Sequence, residues 1–312
     1  MWDGETGKGP IDPRLVNAAA YTNLSKEVAP WVQATGFRTN ALRYSTGSQS
    51  NDGSIAEDFL INSRLVRHDR ESEASITSYF TDSATAMLSM LGHEEDPGLP
   101  VVSLPEGVRL HLEFGEAIAR RRSIRTYTGD KLGLAYLATI LRSAAGITGV
   151  ADVDLALGGQ SLLRFRAAPS AGGLYPIDLY VAALKVAGLD RGIYRYKPNE
   201  DTLVQVKGAS AVEHLIECFA APDELISIRQ ANTVFLLVGQ PWRSMRKYGD
   251  RGMRLLFLEA GAIAENINLA TVALGFGSLD CASFYDDEVH EAMNLDGLYQ
   301  ALLHTVIVGY PG

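Results

Sequence analysis

The stretch Ala168-Pro169-Ser170-Ala171-Gly172-Gly173-Leu174-Tyr175-Pro176-Ile177-Asp178-Leu179-Tyr180-Val181 decides how this chain folds. A turn of small residues runs directly into a pleated apolar strand, so the backbone amides of the turn can approach a planar ligand without interference from side chains. That geometry suits a bound cofactor. The strand is expected to run from Ile177 to Val186.

Outward from this stretch the pattern is regular. Leu134, Leu137, Ile140 and Leu141 repeat at helical spacing after a turn at Gly129-Asp130. Gly192–Tyr196 and Thr202–Val206 flank Pro198-Asn199-Glu200-Asp201, which predicts a hairpin. Val212, Leu215, Ile216 and Phe219 mark a helix, and Thr233–Val238 and Ala301–Val308 have the branching of central strands. Strands and helices therefore alternate without strict βαβ order. No G-x-G-x-x-G follows a strand, so a tightly bound dinucleotide is not supported.

Upstream, Arg121-Arg122-Ser123-Ile124-Arg125-Thr126-Tyr127 closes a helix expected to start near Glu113. Guanidinium forks and a hydroxyl at one corner match a phosphate monoester, because Arg meets phosphate oxygens bidentately and Ser donates one more bond. Taken alone, three arginines at a helix end also read as a solvated face complementing the dipole. Downstream, Lys247-Tyr248-Gly249-Asp250-Arg251-Gly252 precedes a long apolar helix, Leu255–Leu274, and then Gly275-Phe276-Gly277-Ser278. An ammonium beside a phenol favours phenolate, so Lys247 and Tyr248 are candidate general-base residues; a plain surface dipeptide is the alternative. For the two to cooperate, the pair needs a loop or a helix start, which Gly249-Asp250 permits.

These three segments together resemble the flavin nitroreductase superfamily, and the form A-P-S-A-G-G-L-Y-P is similar to its SagB-type branch, which includes azoline oxidases of peptide natural-product biosynthesis. The resemblance covers residues 110 to 310. It implies an α+β fold with a mixed β-sheet surrounded by helices, assembled as a homodimer with flavin mononucleotide (FMN) at the subunit interface. It implies phosphate contacts from Arg121, Arg122, Ser123 and Arg125. Pro169, Ser170, Ala171, Gly172 and Leu174 would line the flavin ring, with Gly275, Phe276 and Gly277 on its other side; a simple helix cap and turn is the alternative for the two glycines. It implies catalysis by Lys247 and Tyr248, oxidising thiazoline or oxazoline rings of a peptide or carrier-bound substrate, with cyclodehydratase partner proteins. A nitroreductase-like enzyme for another small molecule, or a flavin-retaining scaffold subunit, stays open. Where relatives place Lys or Arg in the last strand, this chain has His304, which reads as a phosphate substitute or a satisfied core histidine.

Composition bounds the rest. At 312 residues with 28 basic and 37 acidic side chains, the net charge of −9 argues against a nucleic-acid surface. Two distant cysteines, Cys218 and Cys281, give neither a disulfide framework nor metal-type spacing, so no metal is expected. Met1-Trp2-Asp3-Gly4-Glu5 shows no secretory pattern, and Glu259, Glu265, Asn266 and Asn268 would be costly in a lipid-exposed span. A cytoplasmic protein with no membrane contact is expected. Residues 1–109 read as a partly helical accessory extension with a linker at Gly47–Gly53, and 110–312 as the FMN-binding catalytic domain. His68 lies in a charged run, either a solvated face or a guide for an acidic leader peptide.

Overall fold

The computed structural model describes residues 55–65, 67, 70–81, 98–154 and 160–312. The Gly47–Gly53 linker and His68 lie outside these residues. Two compact units divide the chain, residues 1–62 and 63–312. In chain order the elements are α1 (Ile55–Asn62), α2 (Arg70–Thr81), β1 (Val101–Ser103), α3 (Phe114–Arg120), β2 (Leu132–Gly133), α4 (Leu134–Ala145), β3 (Ile147–Asp154) and β4 (Gln160–Arg166). They continue with β5 (Ile177–Ala183), β6 (Val186–Ala187), β7 (Gly192–Lys197), β8 (Thr202–Lys207), α5 (Ala209–Glu217), β9 (Thr233–Gly239), α6 (Pro241–Tyr248), α7 (Arg251–Ala273), β10 (Gly277–Cys281), α8 (Asp286–Met293) and β11 (Ala301–Gly309).

The unit 63–312 is built on a seven-stranded sheet of order β1-β8-β7-β5-β9-β11-β10. Its named pairs are antiparallel; a parallel bridge, Ser123 with Ser278, joins the Arg-rich corner to the β10 edge and makes the sheet mixed. Every residue of β5 and β9 is buried, which is why both read as continuous apolar runs. Alternation then separates two cores. Leu179, Val181, Phe235 and Leu237 face α4 and α7 through Leu137, Ile140, Leu141, Ile263 and Ile267. On the opposite face Ala182, Val234, Leu236 and Val238 meet Val212, Leu215 and Ile216 of α5 and Val289 and Met293 of α8.

The expected strand 177–186 ends at Ala183. There the amides of Leu184 and Lys185 both turn to the Asn232 carbonyl at 2.9 and 3.0 Å, and Val186–Ala187 pairs in parallel with β2 instead. The hairpin expected at 192–206 forms as β7 and β8, with Lys197 opposite Thr202. Both cysteines are buried and free, and burial pushes their thiols up, Cys218 to about 11, which suits small apolar packing rather than nucleophilic use.

Helix α7 is the one described helix long and apolar enough to cross a membrane, and half of its most apolar window is buried inside the fold. Its buried face carries Leu256, Ala260, Ile263, Ile267 and Ala270. Phe257 and Leu258, at 50% and 71% exposure, lie on the other side. Among the described residues, the neighbours of α7 therefore leave Phe257 and Leu258 uncovered.

Candidate active site

The turn before β5 is shaped by three positive-φ residues, Gly172 (63°), Gly173 (66°) and Tyr175 (46°). Ser170 pins it from within: its carbonyl accepts from Gly173 N–H at 3.1 Å and its hydroxyl oxygen from Tyr175 N–H at 2.9 Å. Gly173 has open space where a side chain would stand. Gly172 does not, because a Cβ there would sit 2.7 Å from Tyr248 Oη and 2.8 Å from Lys247 Nζ. The two residues proposed as a base therefore converge on the glycine of the turn.

They do so from the last turn of α6, not from a helix start as expected. Pro241 opens α6 at its first position, where the missing N–H costs nothing, and Gly249 at φ 53° closes it immediately after Tyr248. Their Cβ directions diverge as helix geometry requires, but both side chains are long enough for their tips to meet, and Lys247 Nζ lies 5.3 Å from the centre of the Tyr248 ring. Lys247 is 5% exposed, and burial pushes its pKa down. The helix end is held by the Ser75 hydroxyl of α2, which donates to the carbonyls of Arg246 and Lys247 at 3.1 and 3.2 Å. Gly252 lets α7 start hard against α6, since a Cβ would meet the Met245 nitrogen at 2.7 Å.

A buried polar network that sequence reasoning missed supports the turn. Asp178 accepts from Gln240 Nε2 and, at 3.5 Å, from Arg243, whose guanidinium also donates to the Tyr175 carbonyl at 3.2 Å. Glu259 reaches it from α7. Burial pushes its carboxyl up to about 7, against the opposing pull of the Ser170 hydrogen bond and of Arg166 and Arg243. The Arg166 guanidinium lies 4.5 Å from the Tyr175 ring centre. A cavity of about 190 Å³ opens here, walled by Leu162–Arg166 of β4, Gly172–Tyr175, Asn199 and Arg243.

The Arg-rich corner lies elsewhere. Ile124 N–H donates to the Ser278 carbonyl at 2.9 Å, and a Cβ on Gly277 would strike the Ile124 side chain at 2.8 Å, so Gly277 is required for this packing. Arg122 folds back on its own helix end, donating to the carbonyls of Ala119 and Arg121. Arg125 donates to the Ser123 carbonyl at 3.4 Å. Gly275, at φ 83°, caps α7, and Phe276 is buried edge-on between Tyr136 and Tyr310. His304 is satisfied by Asp280 at 2.9 Å. Burial works against the Asp280 carboxylate, yet His304, Asn268 and Arg121 hold its pKa below the usual range. The buried hydroxyl of Ser278, one strand position from Gly277, has no hydrogen-bond partner among the described residues, and neither does that of Thr271. The orphaned Ser278 hydroxyl, on the residue bridged to Ser123, fits a ligand with acceptor oxygens such as a phosphate.

Register places the two groups far apart. Ile177, at the end of the turn, is level with Gly239, whereas Ser278 is level with Val308 and Thr233. Six residue steps and three strand spacings separate them, on the order of 20 Å along the strands and 14 Å across. One chain therefore brings Lys247 and Tyr248 to the Pro169–Leu174 turn, and Arg121 and Ser123 to Gly277–Ser278, but does not join these halves.

The nitroreductase family model matches residues 118–310. The chain belongs to the nitroreductase family. Members of this family typically bind FMN and act as oxidoreductases. A Methanocaldococcus jannaschii protein that carries a nitroreductase name is 31% identical over 62% of this chain and 89% of its own length. The Escherichia coli microcin B17-processing protein McbC is 26% identical over 42% of this chain and 49% of McbC, so the match spans about half of that relative. Among solved structures, a nitroreductase-named protein of Anabaena variabilis superposes with a TM-score of 0.60 at 20% identity, over 86% of this chain and 49% of that one. The E. coli microcin synthetase McbBCD complex with truncated pro-MccB17 bound superposes with a TM-score of 0.54 at 19% identity, over 83% and 92%. Both structures share the fold.

Proposed function

We propose that this nitroreductase-family oxidoreductase is an FMN-dependent dehydrogenase that oxidises thiazoline or oxazoline rings of a peptide to thiazole or oxazole. The observation that carries the reading is the convergence of Lys247 Nζ and Tyr248 Oη on Gly172 of the flavin turn; the partial likeness to McbC supports it. Aromatising the ring removes one proton and one hydride equivalent. When bound, FMN supplies the hydride acceptor. The protein must take the proton, and Tyr248, tuned by the Lys247 side chain beside it, stands where a ring over Gly172 would present it.

The flavin would be shared between two chains. Arg121 and Ser123 of one protomer would hold the phosphate, with Arg122 and Arg125 contributing charge; Gly275–Gly277, which cap α7 and pack against Ile124, Tyr136 and Tyr310, would position this corner rather than flank the ring. Pro169–Leu174 and the Lys247–Tyr248 pair would come from the partner. The separation of the halves within one chain and the exposed Phe257 and Leu258 of α7 support this homodimer. Residues 1–109 would form an accessory extension whose later part lends β1 to the main sheet and Ser75 to the end of α6, so it joins the catalytic unit rather than standing apart, and would face peptide or cyclodehydratase partners in the cytoplasm. Deleting residues 1–50 is expected to leave flavin binding intact, and total loss of folding would show the segment to be integral.

A second reading, reduction of another small molecule, is favoured by the 31% identity to the M. jannaschii nitroreductase-named protein. The deciding experiment incubates purified protein with an azoline peptide and follows loss of two hydrogens by mass spectrometry, after confirming FMN release on denaturation. A yellow protein that leaves azolines untouched but reduces a nitroaromatic with NADH would select the second reading.

A further inference from the structure

The cavity between β4 and the flavin turn is lined by three guanidinium-bearing residues, and they are not equally satisfied. Arg243 is engaged by Asp178 and the Tyr175 carbonyl. Arg166 makes its backbone bond to the Tyr175 hydroxyl at 3.1 Å and lays its guanidinium over the same ring, but no carboxylate lies within ion-pair distance of it among the described residues. The two nearby acids are otherwise committed. Asp178 is bonded to Gln240 and Arg243 and Glu259 to Ser170, so both reach Arg166 only as neighbouring charges beyond ion-pair contact. Arg164, two residues back on β4, is exposed. Around these cations the wall is apolar: Leu162, Leu163, Phe165 and Leu174.

We propose that this cavity is an anion subsite for the substrate: a carboxylate pairs with Arg166, Arg164 steers it in, and an apolar body extends toward Gly172. A withdrawn guanidinium with no carboxylate in direct contact is costly, and a fork of N–H donors beside an apolar wall is what an organic acid satisfies. Burial also disfavours the charged form of Arg166, a penalty that an incoming anion relieves. Gly172 belongs both to this wall and to the contact with Lys247 and Tyr248. A ligand anchored at Arg166 thus presents its far end to the pair. The inference deepens the azoline reading, because it makes the preferred ring one that carries an acidic group or has one beside it.

The test uses benzoate and benzamide, isosteres that differ in charge and contain no azoline, titrated calorimetrically into the flavin-loaded protein. Benzoate is expected to bind at least about tenfold tighter, the ratio a charge-assisted hydrogen bond provides. Arg166→Gln should abolish that ratio with FMN content unchanged, and Arg166→Lys should retain part of it. Equal binding of acid and amide, or a ratio that survives Arg166→Gln, overturns the proposal. If Arg166→Gln does not fold, the exposed Arg164→Gln decides, since unchanged benzoate affinity at low salt would overturn it. Because benzoate is not a substrate in the azoline reading, failure of that reading leaves this result standing. Displacement of benzoate by thiazole-4-carboxylate assigns the acid to the ring itself; displacement only by a blocked glutamyl peptide assigns it to a neighbouring side chain.

Discussion

Gly172 is the residue on which the site turns. Its positive φ and its contact with Lys247 and Tyr248 leave no room for a side chain. Gly172→Ala forces an L-residue into the left-handed region at a cost of ~1–2 kcal/mol and displaces both polar tips. The expected outcome is a folded protein with turnover largely lost, checked by circular dichroism and the mass-spectrometric assay; full activity would show that the pair is not placed by this glycine. Tyr248→Phe removes only the hydroxyl. It should retain flavin and slow azole formation by about 100-fold, the usual contribution of a general base. A wild-type rate at full flavin occupancy would remove Tyr248 from the mechanism.

At the scale of elements, α7 links the core to the turn through Glu259. Its carboxyl, pushed by burial from 4.5 to about 7, favours the folded state when protonated. That contribution is complete below the unfolded value of 4.5 and is lost as pH rises through about 7. Glu259→Gln keeps the hydrogen-bonding shape without titrating. Thermal unfolding midpoints should therefore fall more steeply for wild type than for Glu259→Gln between about pH 5 and pH 8. Parallel curves would mean that Glu259 is not buried in solution. The same helix explains how an apolar segment keeps exposed Phe257 and Leu258: its periodicity feeds one core face, and the remainder is left for a second surface.

At the scale of the whole molecule, the proposed dimer makes a prediction that no monomeric site shares. Arg121→Ala damages the phosphate half and Tyr248→Phe the turn half, and each homodimer should be nearly inactive. A mixed dimer of the two contains one site with both halves intact, so co-refolding the variants should restore activity. No recovery despite heterodimer formation, verified by native mass spectrometry, would place both halves in one chain. Leu258→Glu puts charge on the exposed stripe of α7, and it should yield monomer and release FMN together, read by sedimentation and absorbance.

The sequence by itself determined the central strands, the hairpin, the long helix and the identity of the small-residue turn, because these rest on local periodicity and backbone freedom. It also determined the Lys247–Tyr248 candidates, though through resemblance more than through spacing. Only the tertiary structure decided that this pair closes α6 and meets Gly172, that Phe276 is core and Gly275 a cap, and that Glu259, Arg166 and Asp178 gather beneath the turn. Sheet register, with β5 and β10 three strands apart, also set the corner and the turn at opposite ends. Such contacts join residues dozens of positions apart. Local pattern does not encode them, and the packing of α7 across the sheet does.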